Sequence, residues 1–147
     1  MAEQNAKIAR MVQPESLKSE EFQPWSRGRG VDVWAALRSL GRTGVSELVE
    51  RNCRQARRFA EGLTAAGYTV LNEVVLNQVL VSFGDSATTN RVITEIQAEG
   101  TCWCGGSVWQ GQTAMRISVS SWATTDADVE KSLEAMVRVA ARVQLQA

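Results

Sequence analysis

Histidine is absent from the 147 residues of this chain. That removes imidazole acid–base catalysis, Ser–His and Cys–His nucleophile pairs, and most zinc sites. An imbalance of charge is also absent, with 16 basic residues against 16 acidic ones. A neutral chain offers no electrostatic handle for a polyanion or for a membrane surface, so neither nucleic acid nor membrane is expected as a partner. Long apolar runs are missing, and a bilayer span needs about 20 such residues. The opening segment, MAEQNAKIARMVQPESLKSEEFQPW, lacks the apolar centre of a secretion signal. These absences together predict a soluble, cytoplasmic protein. The three cysteines, Cys53, Cys102 and Cys104, are an odd count and are expected as free thiols.

What is present reads as one domain preceded by an arm. Residues 1–24 are polar, carry Pro14 and Pro24, and show little periodicity beyond a possible short helix near Ala6–Val12. Residues 25–43 form a linking loop and helix: WSRGRG reads as a basic turn, and Val33, Trp34, Leu37 and Leu40 share one helical face. Residues 44–147 carry the main pattern. Val45, Leu48, Val49, Cys53, Ala56, Phe59, Ala60 and Leu63 follow helical spacing up to the stop at Gly67.

YTVLNEV and NQVLVSF read as strands, NRVITEIQAEG as a short amphipathic helix, and TCWCGGSVW and Thr113–Trp122 as two further strands around a QGQ turn. Thr125, with Asp126 and Asp128 in the first turn, caps a last helix whose stripe is Val129, Leu133, Met136, Val137, Ala140 and Val143. Strands joined by short connections pair antiparallel. The expected architecture is a two-layer α+β domain with a mainly antiparallel four-stranded sheet and helices on one face.

Three features invite a chemical reading. Cys102 and Cys104 stand at i and i+2, so a strand would point both thiols to one face; a metal site needs more ligands than these, and two small buried residues is the simpler reading. The arginines Arg38, Arg42, Arg51, Arg54, Arg57 and Arg58 interleave with Glu47, Glu50 and Glu61, as on a solvated or protein-docked helix face. The five tryptophans are read mainly as core, with some left to cover a neighbouring domain. Arg116 lies mid-strand, opposite in facing to Met115, Ile117 and Val119, and beside Ala114, Ser118, Ser120 and Trp122. Spacing makes it a wet-face charge, yet small neighbours leave its planar fork free to grip a carboxylate.

The stretches SRGRGVDVWAALRSLGRTGVSELVERNCRQARRFAEGL, VLNQVLVSFG and GTCWCGGSVWQGQTAMRISVSSWATTDADVEKS resemble the C-terminal part of group II pyridoxal-phosphate-dependent decarboxylases. That family includes the aromatic-amino-acid, tyrosine and glutamate decarboxylases, with the aspartate-aminotransferase-like fold type I. The resemblance runs from about Pro24 to Arg142, and MRISVSSWATTDADVEKS is its most specific part.

It implies the small C-terminal domain of such an enzyme, with pyridoxal phosphate (PLP) as the parent family's cofactor. It puts Arg116 where many fold type I enzymes hold the substrate carboxylate. Ser26, Arg27 and Arg29 would correspond to a basic loop at the active-site mouth, with Gly28 interrupting the family's arginine pair. The family's Schiff-base lysine follows a histidine in the large domain, and none of Lys7, Lys18 and Lys131 matches that motif. No covalently bound cofactor, no metal and no catalytic residue are therefore expected on this chain.

Three roles follow. The chain is a decarboxylase fragment needing a missing large domain, a stand-alone binding module that forms a homodimer, or a small enzyme using Cys102 or Cys104.

Overall fold

The structure is a computed structural model that describes residues 25–146. The expected helix near Ala6–Val12 lies outside the described residues. Helix α1 (Trp25–Ala65) is followed by β1 (Thr69–Val70), β2 (Gln78–Ser82), α2 (Ser86–Glu99), β3 (Gly105–Trp109), β4 (Gln112–Ser118) and α3 (Asp126–Gln144). The described residues fall into two compact units, divided between Thr43 and Gly44.

In the first unit, WSRGRG is helical from Trp25 onward and is not the expected turn. Its two glycines weaken a helix by about 1 kcal/mol each without forbidding it. Gly41 leaves helical geometry at φ 63° and ψ −174°, a conformation that suits glycine. The stripe of Val33, Trp34, Leu37 and Leu40 is exposed throughout. The Arg38 guanidinium lies 5.8 Å from the centre of the Trp34 ring.

The second unit holds the core. The sheet order is β1-β2-β4-β3, and every neighbouring pair is antiparallel. Alternation decides what the sheet presents to the helices. Val79, Val81, Met115, Ile117 and Val119 form one buried face, packed with Ala56, Phe59 and Leu63 of α1, Val92 and Ile96 of α2, and Val129, Met136 and Val143 of α3. A Cβ at position 62 would collide with Leu133, so Gly62 is what lets α1 lie this close to α3. Trp109 and Gln112 close a two-residue hairpin through Gln110 (φ 48°) and Gly111 (φ 82°), as a turn with both central residues left-handed requires.

Several expected elements are shorter than their sequence pattern. YTVLNEV pairs only over Thr69–Val70, because the Asn72 side chain replaces a ladder partner: its Oδ1 accepts from Leu80 N at 2.7 Å. Cys102–Cys104 precede β3 rather than lie in it, since pairing begins at Gly105 opposite Arg116. The fourth strand is Gln112–Ser118, so Ser120 and Trp122 belong to the connection into α3. In α1, Val49 is exposed, while Asn52 and Gln55 are buried in its place. The sequence reading of the tryptophans as core also fails: Trp34, Trp103, Trp109 and Trp122 are all exposed, by 40–79%.

The two shorter helices are started by side chains. Asp85 accepts from Thr88 N at 2.7 Å and starts α2; Thr125 and Asp128 form a reciprocal capping box that starts α3. The Thr88 backbone N–H holds the Asp85 carboxyl below the usual carboxylate range, and the Thr125 hydroxyl does the same for Asp128. A carboxyl depressed on folding gives stability that is present above its unfolded pKa of about 3.9 and lost as pH falls through the folded value. Helix content is therefore expected to hold down to about pH 4 and to fall below it. Circular dichroism against pH checks this, with the Asp85→Asn, Asp128→Asn double variant expected to show a flatter acid limb.

Candidate functional site

Arg116 sits near the C-terminal end of β4, on the sheet face turned away from the helices. Across the ladder it is paired with Leu80 of β2 and Gly105 of β3, and along its own strand it is flanked on the same face by Ala114 and Ser118. Its Nη2 reaches over Gly105, 3.9 Å from where a Cβ would stand. The glycine thus leaves room for the guanidinium beside it. Arg116 is exposed and takes part in none of the ion pairs among the described residues. A planar fork with five donors, with Gly105, Ala114 and Ser118 beside it and no acidic partner among the described residues, can hold a carboxylate through two parallel hydrogen bonds.

Three arginines of the basic cluster, Arg51, Arg54 and Arg58, are instead tied to α3 or the connection that feeds it. Arg51 Nη2 donates to Trp122 O at 2.7 Å, Arg54 faces Asp126 at 3.7 Å, and Arg58 grips Glu130 through both nitrogens at 2.6 Å. Arg54 and Arg58, with Gln55 and the first turns of α3, line a cleft of about 220 Å³. Gln55, 1% exposed, donates from Nε2 to Thr124 O and Asp126 Oδ1 and so fixes the connection that feeds α3. Sequence reading missed Gln55. A polar residue inside an apolar helical stripe was the available signal, but only the tertiary fold shows which acceptors it meets.

Ser26, Arg27 and Arg29 lie on helical backbone in the other unit, and their side chains fall outside the described residues. The cysteines are free. Cys104 is buried among apolar side chains, which pushes its thiol up to about 12. Burial also raises the thiol of Cys102, which borders a cavity of about 140 Å³ with Trp103, Ser132 and Met136. A cysteine nucleophile needs the opposite shift, so the reading as a cysteine enzyme finds no support. No group of three or more metal-ligating His, Cys, Asp or Glu side chains occurs among the described residues.

A PLP enzyme needs a lysine for the Schiff base, an acid facing the pyridine nitrogen and a phosphate cradle. Lys131 is the lysine among the described residues, and it is exposed on α3. The residues present do not fit the cofactor. No helix among the described residues is long and apolar enough to cross a membrane.

No family model matches the chain. Histidine decarboxylase of Drosophila melanogaster is 28% identical over 131 residues, covering 84% of this chain and 15% of its own length. Among solved structures, Oryza sativa TDC with PLP and tryptamine superposes with a TM-score of 0.70 at 15% identity, over 78% of this chain and 27% of that one. Catharanthus roseus tryptophan decarboxylase in complex with L-tryptophan gives 0.67 at 14% identity, over 75% and 25%. The glutamate decarboxylase domain of a Vibrio parahaemolyticus enzyme gives 0.62 at 17% identity, over 75% and 25%. The chain thus spans about a quarter or less of each relative. The chain is thus similar in sequence to part of a histidine decarboxylase, and in fold it matches the small α+β C-terminal portion of PLP-dependent decarboxylases.

Proposed function

We propose that this chain is the small C-terminal portion of a fold type I, PLP-dependent amino-acid decarboxylase, a carboxy-lyase, and that these residues do not decarboxylate on their own. The observation that carries this reading is the asymmetry of coverage: 84% of this chain matches 15% of the histidine decarboxylase. A large domain, supplied by further sequence or by a second chain, would bring the lysine, the acid and the phosphate cradle. Arg116 would supply the fork for the substrate carboxylate, and Ser26, Arg27 and Arg29 would stand near the mouth of the completed site.

Titration of the chain with PLP tests the catalytic half of this reading. No visible aldimine band that borohydride traps is expected; such a band, lost with a lysine variant, would overturn it. Arg116 is tested by amino-acid titration followed by NMR. Weak binding of an amino acid is expected in the parent chain, and loss of at least about tenfold in Arg116→Ala, the scale of one charge-assisted bidentate contact. Unchanged binding would return Arg116 to a surface charge.

A second reading, a stand-alone binding module, is favoured by one observation: residues 44–147 enclose their own core. A cooperative melt without any partner supports the module; restored decarboxylation on adding a large-domain chain supports the fragment.

A further inference from the structure

The two edges of the sheet are unlike. The β1 edge is two residues long, too short to recruit another strand. The β3 edge runs five residues, Gly-Gly-Ser-Val-Trp. Soluble proteins guard such an edge with lysine, proline, an inward charge or a bulge, and β3 has no charged residue and no proline. Instead it exposes Val108 by 70% and Trp109 by 40%.

The edge is also complementary to itself. Turned antiparallel about Ser107, β3 pairs Gly105 with Trp109 and Gly106 with Val108, so each large apolar side chain meets a glycine. Directly opposed residues of an antiparallel pair share a face. On the open face, Trp109 of one copy would therefore lie over Gly105 of the other. That is the space into which Arg116 already reaches, since its Nη2 is 3.9 Å from the missing Cβ. An indole placed there covers the bare glycine backbone and meets a guanidinium that forms no ion pair among the described residues. On the helix-side face, Val108 of one copy would cover Gly106 of the other, beside Ile93, whose Cδ1 stands 3.9 Å from the Gly106 Cβ position.

We propose that the β3 edge docks a second copy of this chain, strand to strand, about a two-fold axis at Ser107, making one continuous eight-stranded sheet. A two-fold pairing is closed, so it ends the edge rather than propagating it. The interface does not rest on the decarboxylase reading, but it lays Trp109 on Arg116, so pairing of two copies and a carboxylate held by Arg116 would compete.

Sedimentation of the 147-residue chain across a concentration series tests the proposal. A monomer–dimer equilibrium is expected. Val108→Lys should keep the far-UV circular dichroism and raise the dimer dissociation constant by about tenfold or more, since two cross-strand pairs are lost per dimer. Position-specific oxidation gives an independent readout. Ser107→Cys sits on the axis, with Cα atoms about 4.5–5.5 Å apart, and should cross-link into a covalent dimer under oxidised glutathione. Val108→Cys and the parent chain should not. A chain monomeric at every concentration, a dimer untouched by Val108→Lys, or equal cross-linking at 107 and 108 would each overturn the proposal.

Discussion

Leu63→Ala is expected to cost the domain about 2–5 kcal/mol of unfolding free energy. Leu63 is completely buried, in the last turns of α1, where the helix meets the sheet and α3. Its carbonyl also accepts from Tyr68 N at 3.0 Å, closing the turn that sends the chain into β1. Truncation removes apolar contacts and leaves a cavity that neighbours on three elements cannot easily fill. For a unit of about 100 residues the melting temperature should drop on the order of 10–30 °C. Denaturant unfolding at two protein concentrations measures the loss and separates it from any change in association. Leu145→Ala is the control: Leu145 is 90% exposed, and a change within about 0.5 kcal/mol is expected there. Equal effects at the two positions would mean that α1 does not pack against the sheet as described.

Cys104 is expected to react with a thiol reagent about a thousandfold more slowly in the native chain than an ordinary cysteine. Its thiol, 2% exposed, is pushed up to about 12, so at pH 8 only about one molecule in ten thousand carries the thiolate. The thiolate is the reacting species, and steric exclusion slows it further. Cys53 is buried as well, while Cys102 is half-exposed and should label first. Timed alkylation read by mass spectrometry assigns each site, and all three should label together in denaturant. Native labelling of Cys104 at the rate of a free thiol would revive the cysteine-enzyme reading.

The parts of the fold legible in the sequence are those governed by local rules. Of the expected stripe, Val129, Leu133, Met136, Ala140 and Val143 are buried and Val137 is partly so, while Ala135 and Val139, outside the stripe, are buried as well. The Thr125 cap and its Asp128 partner are neighbours along the chain, so their geometry follows from residue type. The α2 stop at Gly100 and the Gln110–Gly111 turn are legible for the same reason. Expectations failed where a distant residue decided the outcome. Asn72 cut β1 short by taking a ladder position. Gln55 displaced Val49 from the buried face because Thr124 and Asp126 arrive from 69 and 71 residues away. The tryptophans looked like core because hydrophobicity was read without knowing which surfaces the elements would turn outward.

For the site, the sequence alone determined the type of group and its strand: an arginine at 116 between buried Met115 and Ile117, on a chain without histidine. Period-two alternation requires only the residues themselves. The tertiary structure alone decided what surrounds that arginine. Strand register placed Leu80 on one side and the bare backbone of Gly105 on the other, and left the guanidinium without an acidic partner among the described residues. Register is set by pairing between segments far apart in the chain. Whether Arg116 is an ordinary surface charge or an open fork therefore depends on contacts that no local pattern records.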